Sequence, residues 1–147
     1  MSTSAASFII SLGFKEQYAR CRFKTAFVLF FLILILGNIP GARENVGQYA
    51  SGGVLHAFAY SVIAYLLFSG YKGTGFERTA AAVLIVAGMG ALDEYVQSFF
   101  PYRGASVGDW LVDVLSSIGT SALLYACYPR FGGIDAGNTD LRDGSSG

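Results

Sequence analysis

Apolar residues in this chain fall into long blocks, without the one-faced or alternating patterns of a water-soluble domain. The first block runs from about Phe23 to Ile39 and stops at Pro40, and its centre, Phe27 to Leu36, holds no polar side chain. The second runs from about Val54 to Ser69, the third from about Thr79 to Phe100 and the fourth from about Val107 to Tyr128. A helix needs roughly 20 residues to cross the hydrocarbon core, with about 17 the lower limit. The first two blocks are short by that measure and span only if flanking residues snorkel. Lipid offers backbone N–H and C=O groups no partner, so spans this apolar are helical. A transmembrane β-barrel would need alternating segments of about ten residues, which the sequence lacks. The pattern predicts an all-α fold, a polytopic membrane protein built as a four-transmembrane-helix bundle over residues 23–130. A basic N-terminal segment, 1–22, precedes it. Residues 131–147, rich in Gly, Asp and Asn, read as a flexible polar tail.

Composition agrees with lipid as the solvent. The chain is 53% hydrophobic and 14% charged, with mean hydropathy +0.49, against about 25% charged residues in a soluble domain. The formal net charge is zero, so nothing points to a nucleic-acid surface. Cys21 and Cys127 lie near opposite ends with no CxxC or Cys/His zinc spacing, so both read as unpaired thiols. Lipidation of juxtamembrane Cys21 is the alternative. The first block also has the outline of a signal peptide, with Gly41-Ala42 as its cleavage point. Pro40 occupies a place where a small residue is expected, and the apolar run is long, so the block is expected to remain.

Charge sets the expected orientation. Eight of the ten Lys and Arg residues fall on one side: Lys15, Arg20, Arg22 and Lys24, then Lys72 and Arg78, then Arg130 and Arg142. Only Arg43 and Arg103 occupy the other two loops. Positive residues stay in the cytoplasm, which predicts a protein of the inner (plasma) membrane with both termini inside.

With that topology the polar residues of the spans converge on the outer end. His56 and Tyr60 open the second span, and Asp93, Glu94 and Gln97 lie in the outer part of the third. Arg103 follows in the loop, and Asp109 and Asp113 open the fourth. A carboxylate at mid-membrane costs about 2.5–3.5 kcal/mol on insertion scales, so these acids should face the bundle interior and find partners. The pairs His56/Tyr60, Asp93/Gln97, Glu94/Gln97 and Asp109/Asp113 are three or four residues apart, which places each pair on one helix face. Ala87-x3-Ala91 and Ser117-x3-Ser121 fit the small-residue rule for close helix approach, so spans three and four should pack directly. Trp110 reads as an interfacial anchor, with Phe99, Phe100 and Tyr102 in the same aromatic belt.

Paired acids beside a histidine suit general acid–base work, which makes His56, Asp93, Glu94 and Asp109 the candidate catalytic residues. The same groups could instead hold a divalent cation, though no spacing assigns a metal ligand or a cofactor. Arg103 would suit a phosphate, and Gln97, Tyr60 and Asp113 complete the candidate binding set. The alternative is a non-enzymatic scaffold or partner-interaction module whose polar cluster only fixes helix packing.

One further pattern bears on function. The run Asp93-Glu94-Tyr95-Val96-Gln97-Ser98-Phe99-Phe100-Pro101-Tyr102-Arg103, followed by Ser106 and Asp109, resembles the signature of the VanZ-like family. His56-x3-Tyr60 resembles that family's other motif, and the resemblance covers about Leu55 to Gly119. Gly52 and Gly53 stand where the family often has Asp-Lys, Tyr102 where Gly is usual, and Asp113 where Asn is common. The resemblance implies a small bacterial inner-membrane protein, and it adds Ser106 to the binding candidates. The family's founding member is associated with low-level resistance to the glycopeptide teicoplanin. By that likeness, the expected partners are the lipid bilayer and a lipid-linked or cell-wall precursor at the outer face of the membrane.

Overall fold

The computed structural model describes residues 15–40 and 52–136, the side chains of 128–136 excepted. The loop holding Arg43, the start of the basic segment and the end of the tail, with Arg142, lie outside the described residues. A 3-10 turn, Glu16–Tyr18, leads into four helices: α1 (Ala19–Gly37), α2 (Gly52–Gly70), α3 (Gly75–Gln97) and α4 (Val107–Ala136). No strand occurs among the described residues.

Three of these helices, α2, α3 and the Val107–Cys127 part of α4, are long and apolar enough to cross a membrane. The fourth, α1, begins with Arg20, Arg22 and Lys24. Its uncharged part, Thr25 to Gly37, is about 20 Å long, short of a hydrocarbon core of about 30 Å. α1 joins the bundle by packing on α2, with its cationic residues confined to its first turns.

α2 is the central element and packs against α1, α3 and α4, while α3 and α4 also pack on each other. The core takes one stripe from each of three helices: Ala26 and Phe30, then Tyr60, Ile63, Ala64, Leu67 and Phe68, then Ala82, Val86 and Met89. Steps of three and four residues put each set on one helical face. The outward faces are more apolar still. Val28, Phe58, Leu84, Leu115 and Leu123 are exposed, while Asp93, Gln97, Asp113, Ser117 and Ser121 are buried. Water would penalise that arrangement on both counts. A hydrocarbon surround favours it, because polar groups then find partners only inside the bundle.

The helix ends differ from the expected ones for local reasons. α3 starts at Gly75 because Thr74 and Glu77 form a complete capping box: Thr74 Oγ1 accepts from the Glu77 N–H (3.3 Å) and Glu77 Oε2 accepts from the Thr74 N–H (2.8 Å). It ends at Gln97, earlier than expected, and Ser98, Phe99 and Phe100 turn the chain into the loop. α4 continues through Pro129 to Ala136, so the part of the expected coil from 131 to 136 is helical.

Close packing between helices turns on two glycines, Gly90 and Gly70, neither of them in the pairs Ala87/Ala91 and Ser117/Ser121. At Gly90 an added Cβ would lie 2.8 Å from Asp113 Oδ2 and 3.1 Å from Trp110 Cδ1, so the α3–α4 contact turns on this glycine. Gly88 and Ala91 are exposed instead. At the other end of the bundle, a Cβ on Gly70 would come within 2.5 Å of the Phe23 backbone nitrogen, so α1 and α2 touch backbone to backbone there. In the same region Arg22 donates to the Ser69 carbonyl (2.8 Å) and Arg78 to the Gly73 carbonyl (2.9 Å).

Candidate functional site

The end of the bundle that carries the Pro101–Ser106 loop gathers the polar residues. α2 contributes His56 and Tyr60 from adjacent turns of one face, and their rings stack 5.9 Å apart. α3 contributes Asp93 and Glu94, both almost fully buried. α4 contributes Asp109 and Asp113 from successive turns. His56 Nδ1 lies 3.0 Å from Asp113 Oδ1, and Asp113 is fully buried. A carboxylate at that distance holds the ring in one orientation and fixes which nitrogen carries the proton, leaving Nε2 to accept. Tyr60 OH donates to Asp93 Oδ2 at 3.4 Å, a long bond between two buried groups.

Glu94 performs an unusual task. Ser106 caps α4, its Oγ accepting from the Asp109 N–H at 3.3 Å. In a capping box the acid three residues into the helix would reach back to the cap's own N–H. Here Glu94 Oε2, from the neighbouring helix, accepts the Ser106 N–H. Asp109, in the position of that acid, is relieved of the duty. One ring nitrogen of His56 and one carboxylate oxygen each of Glu94 and Asp109 lie within 4.8 Å of one another.

A cavity of about 520 Å³ adjoins the cluster between α1 and α2. Its apolar wall comprises Ile33, Leu36, Ile39, Leu55, Phe58 and Ala59, and its polar end comprises His56, Tyr60, Asp93 and Arg103. Arg103 reaches across from the loop, its Nη2 lying 3.8 Å from where a Cβ on Gly37 would be. Tyr102 OH donates to the Asn38 carbonyl (2.8 Å), so the loop is latched to the end of α1.

Of the residues expected to share a site, His56, Tyr60, Asp93 and Arg103 line the cavity. Glu94, Ser106, Asp109 and Asp113 form the layer beside it. Gln97 is buried one turn beyond Asp93, does not line the cavity, and its Nε2 has no hydrogen-bond partner among the described residues. Trp110, expected as an interfacial anchor, donates from Nε1 to the Ala87 carbonyl (3.0 Å) and so ties α4 to α3. Gly90, which no spacing rule singled out, gives Asp113 the room to reach His56. Comparison with known proteins adds no name to this geometry: no family model matches the chain, and neither does a curated protein or a solved structure.

Proposed function

We propose that this chain is a multi-pass bacterial inner-membrane protein of VanZ-like type. It binds, or acts on, an envelope lipid or lipid-linked cell-wall precursor at the outer face. The cavity carries this reading: an apolar wall on α1 and α2 that ends in an imidazole, a phenol, one carboxylate and a guanidinium suits an amphiphile with a polar head. Arg103 supplies the donor fork for an anionic oxygen, and His56 with the neighbouring acids supplies groups able to accept or release a proton. The excess of Lys and Arg at the opposite end supports an N-in, C-in orientation, with the cluster outside. A glycopeptide-resistance role is in keeping with a ligand drawn from cell-wall synthesis.

A scaffold reading has one observation in its favour: His56 Nδ1 and Asp113 Oδ1 pair with each other, as in a purely structural contact. Lipid analysis separates the two. The full-length chain, Glu94→Gln and Arg103→Lys are purified in mild detergent and their retained lipids identified by mass spectrometry. The wild type should keep a polar-headed or lipid-linked amphiphile, and both folded variants should lose it by roughly tenfold or more, since Lys does not reproduce the bidentate fork. Equal lipid complements in all three would leave the scaffold.

A further inference from the structure

We infer that His56, Glu94 and Asp109 hold a divalent cation of the zinc class, with Asp113 as the outer partner that orients the imidazole. The inference rests on the reading of this cluster as a working site and adds the identity of an ion to it.

Geometry is the first ground. The three donor atoms come from three different helices and lie within 4.8 Å of one another. For any triangle with sides no longer than that, a point exists within about 2.8 Å of all three corners. Zinc bonds to nitrogen and carboxylate oxygen are about 2.0–2.2 Å, so side-chain movements well under 1 Å close the site.

Chemistry is the second ground. One imidazole with two carboxylates is a borderline donor set that suits zinc and related divalent ions. Histidines that ligate metals almost always donate their other N–H to a carboxylate or carbonyl, and Asp113 stands 3.0 Å from His56 Nδ1. Three protein ligands also leave coordination positions for water or an anionic oxygen of a ligand.

The unused oxygens form the third ground. Glu94 is 9% exposed, and its Oε1 has no hydrogen-bond partner among the described residues, while Oε2 is engaged by the Ser106 N–H. A buried carboxylate oxygen without a partner is costly, and a cation beside it removes the cost. Asp109 is free to serve because Glu94 has taken over the reach-back at the start of α4.

The test uses the full-length chain in detergent, stripped with a chelator, in a Cys21→Ser/Cys127→Ser background that removes thiol binding. Zn²⁺ is titrated by calorimetry and Co²⁺ by visible absorption. One ion should bind per chain, with a cobalt spectrum free of sulfur charge transfer. Glu94→Gln and Asp109→Asn should each weaken binding at least tenfold. Asp113→Asn, which touches no ion, should weaken it by about 10–100-fold and leave the stoichiometry at one. Absence of saturable binding to the unsubstituted cluster overturns the inference, whatever the variants do. So does binding that Glu94→Gln and Asp109→Asn, folded by circular dichroism, leave unchanged. If the ion fails to bind while Glu94→Gln still releases lipid, the cation is wrong and the lipid reading stands.

Discussion

The two ends of this bundle solve the problem of polar groups in opposite ways. At the end holding Tyr71–Thr74, polar groups other than Arg22 Nε are paired locally and the helices touch through backbone. Arg22 and Arg78 donate to carbonyls at nearby helix termini, Thr74 and Glu77 close a capping box, and Gly70 lets α2 meet α1 directly. At the end holding Pro101–Ser106, four acids and one histidine from three helices crowd together beside a cavity, and Glu94 Oε1 and Asp113 Oδ2 have no hydrogen-bond partner among the described residues. The first arrangement is what stability alone would select. The second concentrates groups that destabilise a fold unless something else engages them, and the proposed site rests on that feature.

The contrast is broken most severely at the well-packed end. Gly70→Ala places a Cβ 2.5 Å from the Phe23 nitrogen and 2.8 Å from the Ala19 carbonyl oxygen, both backbone atoms that side-chain rotation cannot move aside. Separation of α1 from α2 should cost about 2–3 kcal/mol, read as a lowered midpoint of unfolding in detergent. A midpoint at or above the wild-type value would mean that the two helices do not meet there.

A smaller loss is expected next door. Thr74→Ala removes the hydroxyl that caps α3 and leaves the Glu77 N–H without its acceptor, while Glu77 Oε2 keeps the backbone N–H of residue 74. That should cost about 1 kcal/mol, visible as a modest shift of the same midpoint with no change at the site end. No shift would show that the start of α3 is set by the turn from α2 and not by its cap.

These residues also show what the sequence could and could not disclose. The four helices are legible because hydrocarbon demands long apolar runs and polar residues mark their limits. Thr74-Gly-Phe-Glu77 spells a capping box, yet hydropathy alone places the helix start at Thr79, because Phe76, Glu77 and Arg78 do not extend the apolar run. The convergence of His56, Asp93, Glu94 and Asp109 was readable from helix phase and loop length. The pairing of His56 with Asp113, 57 residues apart, was not, since it depends on the room at Gly90 and on how far α4 slides along α2. The bond from Trp110 to the Ala87 carbonyl was not readable either, since an aromatic near a helix end carries no signal in sequence for a partner on the neighbouring helix.

The smallest expected change in stability is the most informative one. Glu94→Gln keeps the shape of the side chain and an oxygen to accept the Ser106 N–H, while removing one of two adjacent acids buried in α3. The most direct measurement is its free energy of unfolding in detergent beside the wild type, both stripped of metal. A functional site predicts a variant equal in stability or gaining about 0.5–1 kcal/mol, as commonly follows when a strained working group is neutralised. A loss of about 2 kcal/mol or more, of the size expected when a buried structural network is broken, would contradict the account and make the polar end a scaffold.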